Sequence, residues 1–314
     1  MLTRALTPRQ ARDVWLRHSW RLDASTPLCD LARMHLVTTP SPPTVSRCGL
    51  TVYAVPLATD NLGWLIVHPA SAQAAIVDGP EAGPVLAACE ALGVRLTTVI
   101  NTHTHGDHIG INRDLERRGL LSSLRVIGPA AVAAAIPGLT DPVQPEDTIA
   151  FADVPARVVL TDGHLTGHVS YVFDDLAFVG DCLFMGGCGY LFTGPPAAMF
   201  DSLMRLAALP PETWIFCAHE YTEDNLRFAA TLEPNNPDLQ SRIAAVHDRR
   251  RQGLATVPGR LALELATNPF LRQNSDELVA SCTKASQAAG LGIDLSTPLG
   301  VFSATRKLKD LKRY

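Results

Sequence analysis

Charge is scarce in this chain of 314 residues: Asp, Glu, Lys and Arg together make up 18%, against about 25% in an ordinary soluble protein. Mean hydropathy is +0.10, yet no apolar run approaches the roughly 18 residues a membrane-spanning helix needs. The apolar excess is mainly Ala, Leu and Val, which suits a well-buried globular enzyme. A basic balance is missing too. Net charge is −4 and the pI about 6.2, which disfavours nucleic acid, since that usually draws a basic face. Seven cysteines occur, at 29, 48, 89, 182, 188, 217 and 282. Their number is odd and no Cys-x-x-Cys pair exists. A reducing compartment fits best. No secretory apolar segment is visible near the start.

Histidine, by contrast, is concentrated. The run Thr102-His103-Thr104-His105-Gly106-Asp107-His108 sets three of the ten histidines and a carboxylate within six positions. His103 and His105 are two apart, so in an extended segment they point the same way and can reach one ion. Asp107 and His108 follow at the turn and can reach a second. Imidazole nitrogen and carboxylate oxygen suit zinc, iron or manganese.

Further ligand types come in order. Gly163-His164-Leu165-Thr166-Gly167-His168 lies between the apolar runs Ala156–Leu160 and Val169–Phe173, which read as two strands. Leu176–Val179 is an apolar strand ending in Gly180-Asp181. Trp214–Ala218 is another, ending in His219. Taken singly each is weak: a lone histidine at a strand end is usually structural, and an Asp after Gly is usually a turn residue. Order and spacing carry the weight, because loops on a rigid scaffold are where sites collect.

From Leu50 the pattern is strand, strand, strand, helix, strand, with strands at Leu50–Pro56, Leu65–His68, Ala74–Val77 and Thr97–Asn101. Helices are expected at Pro84–Leu92, Ile109–Arg118 and Pro196–Leu209. Mixed strands flanked by helices give a layered α/β fold. Beyond His219 the strand signal fades, and helices are expected at Glu223–Thr231, Leu239–Gln252, Leu261–Leu265, Ser275–Ala289 and Ser303–Lys312. Three units follow: residues 1–49 as an extension and linker, 50–219 as a metal-binding domain, and 220–314 as a helical domain.

The motifs T-H-T-H-G-D-H, H-L-T-G-H, G-D and A-H-E-Y resemble the metallo-β-lactamase superfamily. With Ala75-Ile76-Val77-Asp78, Gly187-Cys188-Gly189, the stretch Tyr221–Ala229, Asn268-Pro269-Phe270-Leu271-Arg272 and Arg306–Asp310, they resemble more narrowly the hydroxyacylglutathione hydrolases, or glyoxalase II. The resemblance implies an αββα sandwich with the metals at one edge and a C-terminal helical domain that helps hold glutathione. It implies metal one on His103, His105 and His164, metal two on Asp107, His108 and His219, and Asp181 bridging both. The ions are expected to be zinc, with iron or manganese as alternatives. His168 becomes a supporting residue, and Asp78 an acceptor for a ligand imidazole.

The implied reaction is hydrolysis of S-D-lactoylglutathione to glutathione and D-lactate. Two metals flanking one water lower its pKa and supply hydroxide, and one polarises the carbonyl. Asp107 and Asp181 are the expected catalytic carboxylates. Tyr221, Arg306 and Lys309 match positions that contact glutathione; two cations suit its two carboxylates, although a basic helix end also complements its own dipole. Tyr190 stands where the family has Lys or Arg, and Phe192-Thr193 stands where an acidic residue is common. One cation is therefore missing from the substrate site, which leaves a different acyl-thioester as an alternative substrate. A second alternative is an iron-dependent glutathione persulfide dioxygenase with a single-metal site, but that pattern lacks the equivalent of His219.

Residues 1–49 fall outside the resemblance. Met1–Arg21 carries five arginines against one Asp with a weakly helical pattern, and Thr38–Thr44 reads as a linker. An organellar import segment, a family-specific extension, or a true start at Met34 all fit; the expected compartment is cytoplasmic. A monomer with no nucleic-acid or membrane partner is expected.

Overall fold

The computed structural model describes residues 8–17 and 35–311. Cys29, Met34 and both ends of the arginine-rich start lie outside that span, as does Lys312 at the end of the last expected helix.

The first sheet runs in sequence order: β1 (Thr44–Val45), β2 (Thr51–Leu57), β3 (Asn61–His68), β4 (Gln73–Val77), β5 (Arg95–Ile100), β6 (Arg125–Pro129) and β7 (Asp141–Val143). Strands β1 to β4 pair antiparallel and β4 to β7 parallel. The second sheet holds β8 (Thr148–Phe151), β9 (Val154–Leu160), β10 (Val169–Phe173), β11 (Leu176–Gly180), β14 (Trp214–Cys217) and β15 (Gly259–Arg260); a small hairpin, β12 (Leu183–Phe184) and β13 (Gly187–Cys188), follows β11.

The two sheets face each other. Leu62, Trp64 and Ile66 of β3 enter the core between them, with Val158, Tyr171 and Phe178 from the second sheet. Leu65 and Val67 of the same strand point the other way and pack under helices α2 (Gly83–Leu92) and α3 (Gly106–Arg117). Both faces of β3 are thus covered, which explains why its sequence is a continuous apolar run rather than an alternation. Its N-terminal half, Asn61–Trp64, falls outside the Leu65–His68 strand expected from sequence because Asn61 and Gly63 interrupt the apolar run.

Helix α1 (Pro8–Arg17) lies against the same outer layer. Its Trp15 is fully buried, edge-on to Tyr53 at 4.9 Å, and donates its indole N–H to Ser41 O at 3.1 Å. After α4 (Pro196–Ala207) and β14 the chain turns helical: α5 (Thr222–Leu232), α6 (Pro237–Arg251), α7 (Leu261–Thr267), α8 (Asp276–Ala289) and α9 (Pro298–Asp310). Asn236 caps α6 by accepting from the backbone of Asp238 and Leu239, as its Asn-Pro-Asp sequence predicts.

The stretch expected to be a linker is tied down. The Thr38 and Thr39 amides both donate to Gly253 O, at 2.9 and 3.0 Å, and Thr44–Val45 pairs with β2. The prolines at 40, 42 and 43 have no N–H to satisfy, so this segment needs few partners to lie flat on the surface.

Candidate metal centre

All seven residues of the expected ligand set meet at one edge of the sandwich. His103, His105, His164 and Asp181 form one group, and Asp107, His108 and His219 another, each with its donor atoms within 4.8 Å of one another. The first histidines leave the end of β5, Asp181 the end of β11 and His219 the end of β14; His164 comes from the β9–β10 loop. Helix α3 begins at Gly106, so Asp107 and His108 occupy its first turn rather than a preceding loop. A carboxylate there is favoured by the helix dipole.

Asp181 faces both groups with different oxygens. Its Oδ2 lies 3.4 Å from His164 Nε2, and its Oδ1 lies 3.5 Å from both His108 Nε2 and His219 Nε2. Asp107 Oδ2 is 3.3 Å from His219 Nε2 and 3.5 Å from His108 Nε2. Four donors about 2.0–2.1 Å from a zinc ion stand about 3.3 Å apart along the edges of their tetrahedron. The spacings observed are those of shared coordination.

The tautomers agree. His108 Nδ1 donates to Asp78 Oδ2 at 2.9 Å, His219 Nδ1 to Asp60 Oδ1 at 2.9 Å, and His164 Nδ1 to Tyr190 O at 2.7 Å. With the proton on Nδ1, each Nε2 presents a lone pair to the centre. His108 Nε2 and Asp181 Oδ1 are buried and have no hydrogen-bond partner. Orphaned buried groups of this kind call for a ligand, so the donor set fits two divalent cations.

Charge points the same way. Burial alone would lower His108, but the Asp181 and Asp78 carboxylates outweigh it and push it up to about 10. His219 is likewise raised against its burial, by Asp181, Asp107 and Asp60. Burial would raise Asp181, but the charges of His108 and His219 hold it well below the usual carboxylate range. His103 is lowered by burial and by His108. The cluster demands positive charge, which cations supply in place of protons.

Supporting residues complete the frame. Asp78 sits at φ +54°, a left-handed conformation costly for Asp, and accepts from Thr102 N and Oγ1 at 2.9 and 2.6 Å besides His108. His168 is buried; its Nδ1 meets Thr161 Oγ1 at 2.8 Å and its Nε2 accepts the Asp181 amide at 3.2 Å. Burial lowers it to about 3, so it stays neutral. Gly180 is required there: at φ +47° a Cβ would stand 2.5 Å from Thr102 Oγ1 and 2.8 Å from His168 Nε2. Sequence reading missed Asp60 and Asn61, whose Nδ2 holds Asp107 Oδ2 at 2.9 Å. As Asp-Asn in a hairpin they carry only a turn signal. Cys182 and Cys188 are buried, and neither is among the convergent donors.

The site opens beside His105 and Asp107, both partly exposed. Tyr221 stacks on His219 at 4.7 Å and 7° and is 39% exposed; burial raises its hydroxyl to about 12. Phe192, 61% exposed, meets His105 and His164 at 5.0 and 5.2 Å, and Tyr190 lies edge-on to Phe192 at 4.9 Å. Arg306 and Lys309 sit deeper than expected. Arg306 donates to Cys188 O at 3.1 Å and pairs with Asp310 at 2.8 Å. Lys309 donates to Asn225 Oδ1, and burial together with Arg306 lowers it to about 8.

Residues 220–311 match the family model "Hydroxyacylglutathione hydrolase C-terminus", and residues 63–219 match "Metallo-beta-lactamase superfamily". A hydroxyacylglutathione hydrolase of Synechococcus sp. is 46% identical over 74% of this chain and 92% of its own. That of Methylococcus capsulatus is 43% identical over 84% of this chain and 99% of its own. The chain belongs to the hydroxyacylglutathione hydrolase family. Among solved structures, BLEG-1 B3 metallo-β-lactamase aligns with TM-score 0.53 at 18% identity, covering 70% of this chain and 99% of that one, a likeness of fold alone. The metallo-β-lactamase αββα sandwich with a helical C-terminal region, expected from the motifs, is the fold of the described residues. No helix among them is long and apolar enough to cross a membrane.

Proposed function

We propose that the chain hydrolyses S-D-lactoylglutathione to glutathione and D-lactate with two divalent ions, zinc foremost. The observation that carries the reading is Asp181, whose two carboxylate oxygens face two separate groups of imidazole nitrogens. In the ligand assignment, His103, His105 and His164 would hold one ion, Asp107, His108 and His219 the other, and Asp181 would serve both. Bound there, the ions lower the pKa of water toward neutrality and stabilise negative charge on a carbonyl oxygen.

The chain's own groups do the rest. Asp107, held by Asn61 and open to solvent on one side, orients the attacking water and accepts its hydrogen bond. The thioester C–S bond breaks and the sulfur leaves as thiolate, a good leaving group that needs no dedicated acid. Tyr221 flanks His219 at the mouth, a position suited to the glutathione backbone. Arg306, paired with Asp310, and Lys309, 3.7 Å from Asp224, back the β12–β13 hairpin on the side proposed for glutathione. Tyr190, in place of a cation, makes the rim more apolar. Residues 50–219 are the catalytic unit, 220–314 the substrate-holding unit and 1–49 a preceding extension. The working form is a monomer in the cytoplasm, with organellar import through the extension as the alternative.

The test is thioester hydrolysis on S-D-lactoylglutathione with metal analysis of the same sample. Turnover with about two ions per chain is expected. Oxygen consumption with glutathione persulfide and a single iron would instead identify the dioxygenase reading.

A further inference from the structure

The ligands of the second ion are not held by the sandwich alone. Asp60 and Asn61, at the β2–β3 turn, orient His219 through Nδ1 and Asp107 through Oδ2, each at 2.9 Å. The same turn is stitched to the His219 segment: Leu62 N donates to Ala218 O at 2.7 Å and Glu220 N to Asp60 O at 3.0 Å. Among the described residues, none of the equivalent supports of the first ion passes through this turn; His164 is held by Tyr190 O instead.

What fixes the turn comes from outside the segments matched by the family models. His35 Nε2 lies 2.8 Å from Asn61 O, and its Nδ1 accepts Val37 N–H at 2.7 Å. With Nδ1 accepting, Nε2 carries the proton and donates to Asn61. Leu36 N donates to Thr59 O at 2.8 Å, and Leu36 O accepts from Arg250 Nη2 at 2.6 Å. Thr38 and Thr39 then anchor on Gly253 O, and Thr39 Oγ1 on Gln252 O at 2.8 Å. Residues 35–39 therefore form a strap, one edge on the turn that carries Asp60 and Asn61, the other on the end of α6.

We infer that this strap, through His35, positions the second-metal ligands Asp107 and His219, so that a segment ahead of the residues matched by the family models sets the affinity of one ion and not of the other. His35 is a positioning residue: it touches neither ion nor substrate, and acts by holding the Asn61 backbone from which the Asn61 side chain reaches Asp107. The inference rests on the two-ion reading above.

Full-length protein stripped of metal is titrated with Zn2+ against a competing chromophoric chelator, which resolves two stepwise dissociation constants. The site lost in His219→Ala identifies the second ion. Removing a group that orients a metal ligand typically weakens affinity about 10–100-fold. Asn61→Ala is expected inside that range at the second site. His35→Ala, one contact further out, is expected to weaken the second site about 10-fold and leave the first within about twofold. His35→Gln, whose amide can donate to Asn61 O and accept from Val37 N, is expected to restore most of the loss. A strap that only stabilises the fold would lower the melting temperature and weaken both sites together, without rescue by Gln. That result, or unchanged affinities in His35→Ala with wild type binding two ions, overturns the inference alone. Wild type binding a single ion overturns it together with the two-ion reading.

Discussion

Asp181 is the residue on which most of the site's electrostatics turns. It is buried, faces three ligand imidazoles, and its backbone N–H is held by His168. In the proposed two-ion site, Asp181→Ala would leave two cations facing each other with no shared anion, and activity is expected to fall at least ~100-fold, the upper size of lost metal-site contacts; near-normal turnover would reduce Asp181 to a turn residue. Tyr190 is the residue through which the proposed substrate site is best tested. It is 51% exposed, so a longer cation has room. Tyr190→Arg is expected to lower KM for S-D-lactoylglutathione by about 10-fold or more, with kcat nearly unchanged, because a well-formed charge-assisted contact contributes about 1.5–3 kcal/mol of uniform binding. An unchanged KM, with another acyl-thioester turned over faster, would point to a different thiol carrier. The substrate role proposed for Lys309 predicts a pH dependence. Burial and Arg306 bring it to about 8, so its charge is present below that pH and lost above it. KM should therefore rise above about pH 8, and Lys309→Arg, always charged, should flatten the rise in a KM–pH profile.

At the scale of elements, the metal site was legible wherever a ligand sits in a signature of its own. The His-x-His-x-Asp-His run, Gly-Asp after an apolar strand, and His219 at a strand end all announce themselves. Asp60 and Asn61 did not, because their function depends on β2–β3 folding back beside β14, a long-range contact that leaves no local pattern. Arg306 and Lys309 were visible as cations on a helix, but their depth was not; α9 turns them inward onto Cys188, Asp310 and Asn225. The hairpin β12–β13 shows the same limit. It is gripped from α7 and its C-cap: Glu264 Oε2 accepts Gly186 N at 2.7 Å, and Asn268 Nδ2 donates to Phe184 O and Gly187 O at 3.1 and 3.0 Å. Glu264 also pairs with buried Arg242. Glu264→Ala strands that guanidinium and is expected to cost about 3–5 kcal/mol in chemical denaturation. A cost under about 1 kcal/mol would mean the pair behaves like an exposed one.

For the molecule as a whole, the layered α/β body and helical C-terminal part followed from strand and helix periodicity, whereas the docking of residues 8–17 and 35–45 did not. Trp15 lies 26 residues from its partner Ser41, and nothing local distinguishes it from a surface tryptophan. Trp15→Ala empties a fully buried site over Tyr53 and should destabilise the fold by about 3–5 kcal/mol, read from the denaturation midpoint; no shift would mean α1 is not docked in solution. The central claim concerns the two ions, and thioester hydrolysis by the metal-free chain, followed as divalent metal is added, tests it most directly. Activity on S-D-lactoylglutathione is predicted to climb until about two equivalents are bound and then level off. A plateau at one equivalent, or no thioester hydrolysis at any loading, would contradict it.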